Sequence, residues 1–218
     1  MFVTSRNSLF RRSLSGLVFR TEDGPRVELR GLTEYDAKEH AGHLKRLSPQ
    51  DRRLRFHSMM SDNAVALYSR RMDWQHALAF GIFIDGILRG VGELLVADGS
   101  DDGEISVSVE HRFQKAGLGR VLVSALVLAG RRIGLKTAHM YFVPGNERMR
   151  ALSRAVGAKP TFAGGVVESV IDLDPPADRT PLRSGGGRRG WLKKPVAGSR
   201  SGAGRAPGSK PLNSRHFA

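Results

Sequence analysis

Apolar and polar residues alternate strictly through EISVSVE at residues 104–110, which is the period of a half-buried strand. Ile105, Val107 and Val109 share one face; Glu104, Ser106, Ser108 and Glu110 share the other. The same reading predicts strands at VELRGL (27–32), KTAHMYFV (136–143) and VVESVIDL (166–173). Two more, ALAFGIFID and ILRGVGELLVA, flank the hairpin dipeptide Asp85-Gly86. Helical spacing takes over between them. TEYDAKEHAGHLKRL (33–47) has Thr33 as its cap, acids early and basic residues late. Ser48 caps a second helix with Pro49 at its first position, and residues 61–72 form a third. A long apolar helix runs from about Gly117 to Ile133 and is closed by Gly134, and NERMRALSRAV (146–156) is the last. No internal repeat is visible. Strands and helices in this order predict one mixed sheet with flanking helices, an α+β domain.

Charge changes the picture at the ends only. The chain has 218 residues and a formal charge of +14. All 21 acids lie between Glu22 and Asp178. Residues 1–20 carry four arginines and residues 179–218 carry ten Lys/Arg, with no acid in either segment. The middle is therefore neutral, and a nucleic-acid reading from total charge would describe the ends alone. Residues 1–24 read as a basic, flexible leader with the composition of a transit peptide or of a loose extension. Residues 25–174 read as the folded domain. Residues 175–218, rich in Gly, Ser, Pro and Arg, are expected to be disordered and to bind polyanions weakly and salt-sensitively. The absence of cysteine excludes disulfides, thiol catalysis and cysteine metal sites, and fits a cytoplasmic setting. No apolar run reaches the ~18 residues of a membrane span, so no membrane partner is expected.

The candidate chemistry sits in QKAGLGRVLV (114–123), between the alternating strand and the long helix. A dinucleotide fingerprint would need a third glycine where Leu122 stands, and the P-loop pattern is absent. What remains is Gln114-x-x-Gly117-x-Gly119 opening a helix, with Lys115 and Arg120 beside it. Glycines let backbone N–H groups approach an anion, and the helix start adds its positive end. A pyrophosphate suits such a loop; the plain alternative is a tight turn whose glycines serve packing.

This Q-x-x-G-x-G loop resembles the acyl-CoA pyrophosphate motif of the GNAT acyltransferases. Asn146, Met149, Leu152 and Gly157 fall in the register of that family's N-x-x-A-x-x-L-Y-x-x-x-G helix, with Ser153 at the Tyr position. The resemblance spans residues 27–173. LSPQDRRLRF (47–56) and the ten-residue interval from Glu104 to Gln114 resemble the acetyltransferase domain of bacterial protein lysine acetyltransferases acting on acyl-CoA synthetases. It implies a GNAT-like fold with a mixed, mostly antiparallel sheet of six to seven strands. It implies acetyl-CoA as co-substrate, no metal, and a primary amine as acceptor, a protein lysine before a small amine. Gln114, Lys115, Ala116, Gly117, Leu118, Gly119 and Arg120 would hold the phosphates. The backbones of Val107 and Val109 would meet the pantetheine arm and the acetyl carbonyl, and Asn146 would meet CoA from the next helix. Glu104 would be the general base, acting through a water. A non-catalytic acyl-CoA-binding module stays open as a different class.

The chemistry demands a base because a free lysine amine has pKa ~10.4. Glu110 shares a face with Glu104 but lies about 20 Å along the strand, too far to serve the same centre. Ser153 would be a poor acid, though a thiol of pKa ~8.5 can leave as thiolate. His40 and His43 read as a solvated helix face, and Arg52, Arg53 and Arg55 as a solvated or salt-bridged one. Trp74 and Phe80 read as core residues, with an acceptor-pocket wall as the alternative.

Overall fold

In the computed structural model the described residues are 17–19 and 25–174. The expected tail, and the leader apart from Leu17–Phe19, lie outside them. Among the described residues one sheet of eight strands runs in the order β1-β2-β3-β4-β5-β6-β8-β7. The strands are β1 (Leu17–Phe19), β2 (Val27–Gly31), β3 (Leu78–Ile84), β4 (Ile87–Val96), β5 (Asp102–Val109), β6 (Thr137–Phe142), β7 (Lys159–Ala163) and β8 (Val166–Asp172). Every neighbouring pair is antiparallel except β5 and β6, which are parallel and joined by a helix. The helices are α1 (Ala37–Arg46), α2 (Pro49–Phe56), α3 (Asp62–Arg71), α4 (Leu118–Ile133) and α5 (Glu147–Ala155).

The caps read from sequence are in place. Ser48 Oγ accepts from the N–H of Asp51 with Pro49 in the first turn, and Ser61 Oγ accepts from the N–H of Ala64. The first helix is less regular than its periodicity suggests. Glu34–Asp36 form a 3-10 turn, in which the Asp36 carboxylate accepts the N–H of Thr33 at 2.9 Å.

The main core lies on the α4 face of the sheet. Leu122, Leu126 and Ala129 of α4 are fully buried against Phe80, Ile82, Leu94, Ile105 and Met140. Each such leucine contributes roughly 1.5–3 kcal/mol by leaving water. The other face is covered by α1–α3 over smaller clusters, one around Leu44 and Val65, another around Leu32, Trp74, Phe83 and Val91. Trp74 and Phe80 are thus core residues, and neither lines the cleft described below.

Two strands depart from the sequence reading and raise the count from six or seven to eight. β1 pairs with β2 from within residues 1–24, so the sheet begins inside the segment read as leader. β7 pairs with β8 across a Gly164-Gly165 turn. Its KPTFA sequence hides it: Pro160 weakens the strand signal, and Phe162 is 68% exposed. Proline is tolerated there because β7 is the last strand of the sheet.

Candidate active site

The site begins where pairing ends. β5 and β6 are register partners over three residues only, Asp102–Glu104 against Thr137–His139. Beyond Glu104, β5 stays paired with β4 alone, and the two parallel strands part. A cleft of about 440 Å³ opens between them. Ser106, Val107, Ser108 and Val109 line it from β5, Tyr141 and Phe142 from β6. The glycine loop with Asn146, Met149 and Leu152 closes one side; Asp51, Leu54 and Arg55 of α2 close the other.

The backbone of β5 supplies part of the lining. Glu110 N–H donates to Arg89 O, at the end of an unbroken antiparallel register with β4. Hydrogen-bonded pairs alternate along such a ladder, so Val109 and Val107 direct their N–H and C=O groups away from β4, into the cleft. One acceptor is already taken, since Gln114 Nε2 donates to Val109 O at 2.9 Å.

The loop arrives at α4 through two left-handed residues, Lys115 (φ 64°) and Gly117 (φ 79°). This φ is costly for any residue with a Cβ, which explains glycine at 117. Gly117 is the helix N-cap, and the first intrahelical bond is Val121 N–H to Gly117 O at 3.2 Å. The N–H groups of Leu118, Gly119 and Arg120 are therefore left without helical acceptors, at the positive end of a 16-residue helix. A Cβ on Gly119 would meet only Leu152 at 3.5 Å and Val107 at 4.0 Å, both lining residues of the cleft. Packing does not require glycine there; the cleft's free space does. Free donors and a cradle that a side chain would fill suit a phosphate group.

Two sequence candidates take bracing roles. Gln114 bonds the β5 backbone, and its Oε1 accepts from Arg148 of α5. Arg148 also reaches Asp51 of α2 at 2.8 Å, so it spans the mouth of the cleft. Asn146 lines the cleft, and its Oδ1 caps α5 by accepting the N–H of Met149 at 3.2 Å. Ser153 leaves the site altogether: it is fully buried and donates to Ser169 at 2.7 Å, off the cleft lining.

Glu104 is half-buried at the last rung of the β5–β6 pairing, one step along its face from the lining residue Ser106. Its carboxylate makes no hydrogen bond or ion pair among the described residues. Burial raises its pKa above the usual carboxylate range; Arg55 opposes this, the Glu93 charge adds to it, and His139 opposes it.

The two histidines overturn the solvated-face reading. His40 and His43 are fully buried. His40 Nε2 meets Glu93 at 2.8 Å and its Nδ1 meets Ser69 at 2.9 Å. Arg55 and Tyr68 donate to the other oxygen of Glu93, each at 2.5 Å. Burial opposes ionisation of Glu93, yet Arg55, His40 and Tyr68 together hold its carboxyl down at about 2. His43 bonds Ser108 at 2.9 Å and Glu110 at 3.3 Å. Arg46 and Arg89 complete the Glu110 carboxylate at 2.8 Å each. Glu110 is also held at about 2, its three partners outweighing burial. Burial pushes the His43 imidazole below its ordinary value.

Sequence reasoning missed Arg55, Tyr141 and Arg148 as lining residues. One signal was available. Glu93 is a lone acid in the apolar run ILRGVGELLVA, and an acid inside a buried strand requires cationic partners. Among the described residues no group of three or more His, Asp or Glu could hold a metal, and no helix is long and apolar enough to cross a membrane.

Comparison with known proteins agrees with this geometry. The Acetyltransferase (GNAT) family matches residues 47–158. An acetyltransferase of Pseudomonas aeruginosa is 32% identical over 142 residues, spanning 62% of this chain and 76% of that protein. Among solved structures, the GNAT domain of S. lividans PAT superposes with a TM-score of 0.62 at 18% identity, covering 72% of this chain and 96% of that one. The yncA protein of Salmonella typhimurium, solved with its cofactor acetyl-CoA, gives a TM-score of 0.56 at 16% identity over 71% and 98%.

Proposed function

The chain belongs to the GNAT acetyltransferase family, and from that premise we propose that it transfers an acetyl group from acetyl-CoA to a primary amine, with a protein lysine the favoured acceptor. The observation that carries the reading is the unpartnered, half-buried Glu104 beside an open cleft. A binding module needs the cleft but has no use for a carboxylate kept free with a raised proton affinity.

The residues divide the work as follows. The N–H groups of Leu118, Gly119 and Arg120 at the start of α4 would hold the pyrophosphate, with Lys115 and Arg120 adding charge. The Val107 and Val109 backbones would fix the pantetheine arm and offer a donor to the acetyl oxygen. Bound acetyl-CoA supplies an activated acyl carbon. Glu104 takes a proton from the approaching ammonium, directly or through a water, and so generates the nucleophile. Arg55 and Ser106 line the approach. No side chain is needed to protonate the leaving thiolate, given its low basicity, and Ser153 takes no part.

Support for a lysine comes from the approach to Glu104. The face of β6 and β8 beside it holds Tyr141 and Glu168, both partly open to solvent, with Asp102 on β5. Carboxylates and aromatic faces suit a long-stemmed alkylammonium. Incubation with labelled acetyl-CoA and a cell lysate, followed by identification of the labelled molecules, tests this. Label on lysine side chains of a few proteins is the expected result. Label confined to small amines would move the acceptor to that class. Tight acetyl-CoA binding without transfer to any molecule would overturn the enzymatic reading.

A further inference from the structure

Acetylation of an ammonium leaves a proton to be removed. The nitrogen starts with three protons and ends, as an amide, with one. When the C–N bond forms and the C–S bond breaks, one of the two lost protons ends on sulfur. The other, taken first by the base, has to reach solvent before the next turnover. Glu104 is half-buried, and bound substrates would occupy its cleft side.

Beside it, on β6, stands His139, its register partner across the last rung of the β5–β6 pairing. His139 Nδ1 faces Glu168 at 2.9 Å. A nitrogen facing a carboxylate carries a proton, so Nε2 is the atom free to gain and lose one. Nε2 faces Thr137 Oγ1 at 3.3 Å, whose own proton is donated to Asp102. The hydroxyl therefore offers Nε2 a lone pair, which suits a protonated ring. Tyr141 donates to the same Glu168 oxygen at 3.1 Å and stacks on the imidazole with ring planes 8° apart. The pair reaches water, with 14% of the His139 side chain and 26% of Glu168 exposed.

We propose that His139, held by Glu168, takes the proton from Glu104 and passes it to solvent; this rests on the reading of Glu104 as the base. No hydrogen bond joins the two side chains, so the proton crosses through a bridging water: the O–H bond on Glu104 breaks, an N–H bond forms at Nε2, and the imidazolium, balanced by Glu168, releases the proton to bulk water. Glu104 is again a carboxylate. His139 touches no substrate and acts only through Glu104, so it is a positioning residue. The charged and titratable groups around the pair are Glu93 on β4, Asp102 on β5, Tyr141 on β6, Glu168 on β8, and Arg55 and His57 at the end of α2; His57 bonds the Tyr141 backbone.

The test uses the full chain, labelled acetyl-CoA and a dialysed cell lysate as the acceptor pool, in a dilute buffer free of imidazole. His139→Ala is expected to lower turnover about tenfold, less than the roughly 10²–10⁴-fold of the base itself, with acetyl-CoA affinity by calorimetry unchanged. Added imidazole restores the rate. His139→Gln can still donate to Glu168 but cannot carry a proton, and it is equally slow. In ¹³C-labelled His139→Gln protein without substrates, the Glu104 carboxyl titrates at higher pH, because the His139 ring no longer opposes its protonation. Wild-type turnover of both variants beside a slow Glu104→Gln would overturn the proposal and leave the base in place. A fall that imidazole does not restore would also overturn it, since it marks a structural role. Wild-type turnover of Glu104→Gln would remove the base reading, and this inference with it.

Discussion

Glu93 and Glu104 stand on adjacent strands, on the same face of the sheet, two residues out of register with each other. Glu93 has a partner for each oxygen and is held at about 2. Glu104 has none among the described residues, and burial pushes it the other way. The same contrast separates two regions. Under α1–α3 the buried acids and histidines are closed into networks: His40 with Glu93 and Ser69, His43 with Glu110 and Ser108. In the cleft they are left open: the α4 N–H groups, the Val107 backbone, and Glu104. A fold tolerates unmet polar groups only where water or a ligand reaches them. Unmet groups converging on one opening therefore mark where water or a ligand can enter, and the satisfied cluster beside it holds the frame.

Exchanging single members of the two regions should break this contrast if it is wrong. Glu104→Gln is expected to give the largest effect: turnover slows by a factor of roughly 10²–10⁴ while acetyl-CoA affinity is unchanged. Its stability should equal or exceed wild type at neutral pH. The fold holds the Glu104 proton more tightly than the unfolded chain does, so ionising it costs native stability as pH rises through its raised value. Denaturant titration beside a steady-state assay separates the two readouts.

Glu93→Ala should do the reverse. It strands Arg55 and His40 without their counter-charge, at a cost of about 3–5 kcal/mol in urea unfolding. In wild type the Glu93 and Glu110 contributions are fully present above the usual carboxylate range. They are lost as pH falls from there towards about 2, since both folded-state values are depressed. A steeper loss of stability with falling pH in Glu93→Ala than in wild type would contradict that sign.

Gly119→Val places a branched side chain in the cradle at the start of α4. Losing backbone bonds to a charged phosphate costs about 1.5–3 kcal/mol, so acetyl-CoA affinity should drop at least about tenfold while the protein stays folded. Calorimetry with acetyl-CoA decides it. The smallest effect is expected at Ser153→Ala, where one buried hydroxyl pair is lost. Turnover should be unchanged and stability lower by about 1 kcal/mol. Markedly slower turnover would return Ser153 to the chemistry.

What could be read in the sequence was local. Gly117, Gly119 and their basic neighbours are consecutive, and strand parity places Glu104 with Ser106 from seven residues alone. The caps at Ser48 and Ser61 need only three residues each. What was not legible is long-range. His40 and His43 find their acids 53 and 67 positions away, so a helix with two histidines looks solvated until the sheet is assembled beneath it. The cleft has no sequence signature, because it depends on where two strands cease to pair. Arg148 enters it through Asp51, 97 residues distant.

The parting of β5 from β6 has a consequence for the molecule's solution behaviour. Past Glu104, β5 is an edge strand in the middle of its own sheet, with the Val107 backbone unclaimed on one side and Val109 O held only by the Gln114 side chain. Edges of that kind recruit strands from other chains and seed aggregation. Here α2 stands on one flank and the glycine loop with α5 on the other. A foreign strand could reach that edge only past these walls, so they guard it against such pairing.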